Sequence, residues 1–99
     1  MGPSDGEPSP IRIQVSRELD LHTFRPGDLP ELLPAWFEEC RRVNILTVRV
    51  IHGKGSGALR SGVHALLPRL SEHVSAWTHP DPVSGWGSTV VQLKPDQLK

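Results

Sequence analysis

The run Ile45-Leu46-Thr47-Val48-Arg49-Val50-Ile51 is rich in β-branched residues, holds a single charge, and stops abruptly at His52-Gly53-Lys54-Gly55-Ser56-Gly57. Such a run reads as a central strand covered on most of both faces. Beyond the glycines, Leu59, Val63, Leu66, Leu67 and Leu70 recur at i, i+4, i+7, i+8 and i+11. That spacing predicts an amphipathic helix, with Ser56 or Gly57 as its cap. A strand, a glycine loop and a helix in succession form a unit of an α/β layer architecture, and the rest of the chain must fit around it.

Upstream, residues 11–15 alternate apolar and polar and predict a half-buried edge strand. Residues 18–22 repeat the alternation, with Leu19 and Leu21 on one face and Asp20 and His22 on the other. Pro26-Gly27 breaks the chain. Asp28 with Glu31 resembles a capping box, and Leu29, Leu32, Leu33, Trp36, Phe37 and Cys40 follow helical spacing, which predicts a helix over 29–42. Pro30 suits its first turn, Pro34 costs a backbone bond or marks a kink, and Trp36, Phe37 and Cys40 read as core. Downstream, 74–78 and 89–93 predict strands, the latter with Thr89, Val91 and Leu93 on one face, separated by a loop rich in Pro and Gly. The order β-β-α-β-α-β-β predicts an α/β two-layer sandwich, with a mixed four- to five-stranded sheet and two helices. Residues 1–10 read as a disordered tail, and 11–99 as a single domain.

Composition narrows the function classes. Ninety-nine residues suffice for one core. The lone Cys40 excludes an internal disulfide framework and suits a reducing compartment. With no apolar run of about 18 residues and no signal peptide, no membrane partner is expected, and the cytoplasm is the default location. Eleven basic and eleven acidic residues cancel, yet they are segregated: residues 1–39 hold eight acids and three bases, whereas residues 40–71 hold six bases and no acid. The six are Arg41, Arg42, Arg49, Lys54, Arg60 and Arg69. They either form a positive surface for a phosphate-bearing partner or pair with Asp20, Glu31, Glu38 and Glu39 in the fold.

Strand 18–22, helix 29–42 and strand 45–51 make a βαβ unit, so those strands are expected to be parallel neighbours whose carboxyl ends lie side by side. One end carries Asp20 and His22, the other His52 and the glycine loop, and ligands of open α/β sheets bind at that edge. Gly53, Gly55 and Gly57 permit positive φ and close backbone approach, while the loop feeds a helix N-terminus whose free N–H groups attract an anion. Lys54 and Arg60 add charge there, so a phosphate is the expected occupant. Lys54 precedes Gly55 rather than Ser or Thr, and the glycines do not match G-x-G-x-x-G, so neither an NTPase nor a nucleotide cofactor is expected. Asp20 and His22 could act as acid and base or share a divalent metal with His52. The alternative is a structural Asp satisfied by its neighbour. His64 reads as a surface residue beside Arg60, while His73 and His79 have no motif around them. Trp86, between two glycines, either stacks on an unpaired base or covers the sheet edge.

Leu19-Asp20-Leu21-His22, His52-Gly53-Lys54-Gly55-Ser56-Gly57-Ala58-Leu59-Arg60 and Gly85-Trp86-Gly87-Ser88-Thr89-Val90-Val91-Gln92-Leu93 together resemble the Smr (small MutS-related) domain, over about residues 18–94. The chain looks like the stand-alone form. The resemblance implies a βαβαββ sandwich similar to the C-terminal domain of translation initiation factors, acting on DNA or RNA. Members are described as nicking endonucleases or endoribonucleases, and some only bind. It assigns Asp20 and His22 through the first motif, and His52, Gly53, Lys54 and Gly55 through the second. Thr23 stands where the family usually has Gly, and no metal ligand is carried over. The expectation is therefore an endonuclease in which Lys54, Arg60 and the amides of Gly53 to Gly57, Ser56 included, hold a phosphate. His52 or His22 would activate water, with Asp20 orienting the imidazole. A non-catalytic nucleic-acid-binding module is the alternative.

Overall fold

The computed structural model describes residues 15–96. The expected strand at 11–15 and the tail at 1–10 fall wholly or almost wholly outside that range. Within it the elements are β1 (Arg17–Asp20), α1 (Leu29–Arg42), β2 (Thr47–Ile51), α2 (Ala58–Leu66), β3 (Val74–Thr78) and β4 (Ser88–Leu93). Short 3-10 turns precede α1 at Pro26–Asp28 and extend α2 at Leu67–Leu70.

The sheet runs β1-β2-β4-β3. β1 and β2 are parallel neighbours, as the βαβ reading requires, with Leu19 opposite Val50 and Asp20 opposite Ile51. β4 is antiparallel to both its neighbours, pairing Val50 with Thr89 on one side and Val91 with Trp77 on the other. Two residues a step apart on a strand point to opposite faces. Val48, Val50, Val91 and Leu93 consequently join Leu29, Leu33, Phe37 and Cys40 of α1, and Val63 of α2, in one core. Arg49, Val90, Glu18 and Asp20 belong to the opposite face by register.

α1 spans the predicted residues and tolerates Pro34 inside it. Its end has a signal the periodicity does not contain: Asn44 takes φ 62°. The Ile45 amide donates to the Cys40 carbonyl (2.8 Å) and the Asn44 amide to the Arg41 carbonyl (2.9 Å), a Schellman closure that turns the chain into β2. α2 is shorter than its leucine spacing suggests. Pro68 has no N–H to continue the ladder, so the last turn tightens into the 3-10 form at Leu67–Leu70. The helices approach closely at Gly62, where a Cβ would stand 2.9 Å from Leu29 Cδ1.

The basic block divides. Arg41 pairs with Glu38 (3.6 Å) and Arg42 with Glu39. Arg49, 9% exposed, is gripped on the open face by Asp81, 2% exposed, and by Glu18 at 2.7 Å. Among the described residues Asp20 and Glu31 pair with none of the six, and Asp81 and Glu18 stand in their place as partners of Arg49. Lys54, Arg60 and Arg69 have no ion-pair partner among the described residues. Two of those three flank the glycine loop.

Candidate functional site

Alternation along β2 carries His52 to the same side as Val48 and Val50, so its ring is buried beneath the helix layer. Thr89 opens β4 on that side, and His64 descends from α2 one residue after the buried Val63. Both Nε2 atoms meet one hydroxyl: His52 Nε2 lies 2.9 Å and His64 Nε2 2.8 Å from Thr89 Oγ1. His79, just past β3, completes the group, its ring centre 4.6 Å from that of His64 and 5.4 Å from that of His52.

Proton positions follow from the partners. His52 Nδ1 is 3.2 Å from the Gly53 carbonyl and His79 Nε2 is 3.1 Å from the Trp86 carbonyl. A carbonyl oxygen can only accept, so those two nitrogens carry hydrogens. In neutral His52, Nε2 then accepts the Thr89 hydroxyl hydrogen, and Thr89 Oγ1 in turn accepts from His64 Nε2–H. Burial drives the His64 pKa down to about 4, aided by the nearby His79, His52 and Arg60. Burial also lowers that of His52, against a raising contribution from the Gly53 carbonyl. Both rings are therefore neutral at pH 7.

The loop itself is tied to the opposite hairpin. The Gly87 carbonyl accepts from both the His52 and Gly53 amides, each at 2.9 Å. The Gly53 amide is thus spent, whereas the amides of Lys54, Gly55, Ser56 and Gly57 have no acceptor among the described residues. Positive φ is needed at Gly53 (81°) and at Gly57 (88°), the residue preceding α2; Gly55, expected to share that conformation, does not take it. Ser56 Oγ accepts from the Ala58 amide (3.3 Å), and the Gly57 carbonyl accepts the first helical bond from Ser61 (2.8 Å). Arg60 folds back over the loop, so closely that a Cβ on Gly57 would stand 2.7 Å from its Nη2.

Asp20 and His22 form a second, separate pair. Asp20 Oδ1 accepts from the His22 amide (3.0 Å) and stands 3.1 Å from His22 Nδ1, with both side chains in solvent. These bonds, the amide's first, hold the Asp20 carboxyl below its ordinary pKa. Thr23 does not disturb the pair: the turn is closed by the Phe24 amide on the Leu21 carbonyl (2.8 Å), and among the described residues Asn44 alone has positive φ without being glycine. No glycine is required after His22.

The sheet therefore brings the predicted residues to one end but not into one contact set. Asp20 belongs by register to the face opposite His52, and no hydrogen bond or ion pair joins the two among the described residues. Trp86 is 59% exposed and meets the His79 ring edge-on at 5.1 Å. Trp77, 38% exposed, stacks on His64 at 4.9 Å. His64, His79, Thr89 and Trp77 were not singled out by the sequence. Thr89 offered one signal, a hydroxyl on the apolar face of its strand, which must find a partner there.

Comparison with known proteins places the chain. The sequence profile of the Smr domain matches residues 19–94, which is most of its length. The chain belongs to the Smr domain family. It is 34% identical over 79 residues to endonuclease MutS2 of Thermus thermophilus and 37% identical over 84 residues to endonuclease MutS2 of Lactobacillus acidophilus. Those alignments cover 80% and 84% of this chain but only 11% of each relative, so the chain spans about a tenth of those proteins. The crystal structure of the Smr domain of T. thermophilus MutS2 superposes with a TM-score of 0.72 at 33% identity, over 81% of this chain and all of that one. YdaL, a stand-alone small MutS-related protein from Escherichia coli, shares the fold with a TM-score of 0.68 at 23% identity, over 78% of this chain and 63% of that one.

Proposed function

We propose that this Smr domain binds nucleic acid and hydrolyses its phosphodiester bonds as an endonuclease. The observation that carries the reading is the loop before α2: four uncommitted amides, Lys54 and Arg60 converge on a helix N-terminus, an arrangement suited to a phosphate. The relatives named endonuclease MutS2 contain a domain of the same family, which supports the same direction. Exposed Trp86, next to the Gly87 that the loop amides bond, and Trp77, stacked on His64, supply π-faces for unpaired bases.

The hydrogen bonds favour His22 over His52 as the base in this reading. Both ring nitrogens of His52 are occupied inside the fold, so it is a poor base. His22 has Nδ1 held by Asp20, its side chain is mostly in solvent, and Nε2 has no partner among the described residues. In the proposed step, His22 Nε2 takes a proton from water, the resulting hydroxide attacks phosphorus, and the leaving sugar oxygen departs and is protonated by solvent. Asp20 fixes the orientation of the imidazole, while Lys54, Arg60 and the loop amides stabilise the added phosphate charge. Purified protein should cut supercoiled plasmid or structured RNA, and Asp20→Asn, His22→Ala and Lys54→Ala should each reduce cutting by about 100-fold or more. Equal cutting by wild type and all three variants would refute the enzyme.

The satisfied state of His52, His64 and Thr89 favours a second reading, a module that binds without cutting. Affinity that falls steeply with salt, with no product from DNA or RNA, would select it.

A further inference from the structure

We propose that His52, His64 and His79 form a three-histidine site for a divalent transition metal, with Zn²⁺ as the ion of choice. One ring nitrogen from each of the three lies within 4.8 Å of the others. They come from the end of β2, from α2 and from the segment after β3, so their convergence is a product of the tertiary fold rather than of local sequence. No carboxylate or thiolate joins the set among the described residues, and an all-imidazole donor set suits zinc, copper, nickel or iron rather than magnesium or calcium.

The hydrogen bonds orient the rings for this use. His52 donates from Nδ1 to the Gly53 carbonyl and His79 donates from Nε2 to the Trp86 carbonyl, which makes His52 Nε2 and His79 Nδ1 the nitrogens left for a metal; at His52 the ion would displace the Thr89 hydroxyl whose hydrogen Nε2 otherwise accepts. A backbone carbonyl behind the non-ligating nitrogen is the arrangement that fixes tautomer and ring direction in metal-bound imidazoles. In His64, Nδ1 is the nitrogen not engaged by Thr89. Two nitrogens bound tetrahedrally at about 2.0–2.1 Å from zinc are roughly 3.4 Å apart, so small ring rotations of about 1 Å close the site. Three protein ligands leave a coordination position for water or a phosphate oxygen. Arg60 already acts by its charge on both His52 and His64, so the ion's charge would add to that of the loop's basic residues.

The test uses the tag-free 99-residue chain stripped with chelator, titrated with ZnCl₂ by calorimetry, with elemental analysis after dialysis and a Co²⁺ visible spectrum as a coordination readout. One zinc per chain is expected, with tetrahedral Co²⁺ absorption. His64→Gln and His79→Gln should each weaken zinc by about 100-fold or more, while His73→Gln, remote from the cluster, should leave it unchanged. Circular dichroism of each variant establishes that it is folded, and His79→Gln, in a loop, serves if His64→Gln does not fold. Sub-stoichiometric uptake, a purely octahedral Co²⁺ spectrum, or equal affinity in folded His79→Gln overturns the site. No nucleic acid is present, so failure here leaves the endonuclease reading standing and success does not depend on it.

Discussion

Removal of the Asp81 carboxylate should be among the most damaging single changes available to this domain. Asp81 receives Arg49 Nε and Nη2 and, at Oδ1, the amides of Val83 (2.8 Å) and Ser84 (3.1 Å). In Asp81→Ala, Arg49 stays buried with only Glu18, itself half in solvent, to balance it. Stripping one partner from a buried pair costs about 3–5 kcal/mol, and the surviving Glu18 contact places this case near 3 kcal/mol. For a domain of this size that corresponds to a fall in Tm of roughly 12–24 °C. Urea and thermal unfolding followed by circular dichroism measure it, and Arg49→Met in the same background should restore most of the loss because the orphaned charge is then gone. Burial alone would raise the Asp81 carboxyl, but Arg49 and the two amides hold it below its ordinary 3.8. Its contribution is therefore full above that unfolded value and disappears as pH falls through the lower folded one, so the stability gap between wild type and Asp81→Ala should begin to narrow only below the unfolded value and close once pH is below the folded one. A loss under 1 kcal/mol, or a double variant as unstable as the single, would show that the pair does not anchor the 79–87 loop.

Three further outcomes are expected. Gly57→Ala should destabilise by about 1–2 kcal/mol because its φ is 88° and the new methyl meets Arg60, whereas Gly55→Ala, with open space and no positive φ, should stay within about 0.5 kcal/mol; chemical denaturation separates them. Lys54→Ala and Arg60→Ala should each reduce the slope of log affinity against log salt by about one for a labelled oligonucleotide, measured by anisotropy. Trp77→Ala and Trp86→Ala should each weaken single-strand binding by about 1–3 kcal/mol, with Trp86→Ala leaving unfolding almost unchanged, since that side chain lies mostly in solvent.

Much of the framework was readable because it depends on local spacing. The apolar period from Leu29 to Cys40 set α1 to the residue, and the alternation around Leu19 put Asp20 on the outer side, although the strand ends at Asp20 and His22 lies in the turn beyond it rather than on the strand expected over 18–22. The parallel pairing of β1 with β2 followed from the connecting helix. What escaped depends on contacts between distant segments. His64 looked like a surface residue because its helix pattern says nothing of Thr89, 25 residues away. Asp81, in a Pro-Asp-Pro segment, carried every mark of a solvated turn, yet it is the buried counter-charge to Arg49. The pairing of Arg49 could not be foreseen from charge blocks, which ignore the sheet face that a strand residue occupies. Pro68 was visible, but the leucine period ran through it and concealed the change of helix type.

The doubly accepting Gly87 carbonyl makes the glycine loop and the Trp86 turn a single stiff gauge. Gly87 packs against the loop, a Cβ there falling 3.6 Å from Lys54 Cγ and 3.7 Å from Gly53 Cα, so neither arm can slide without the other. If the loop holds a phosphate as proposed, a polymer laid across the end of the sheet would meet that contact and the Trp86 ring at a fixed separation. Selection among strands would then be by how many nucleotides fit that interval, with stacked duplex and unstacked single strand offering different repeats.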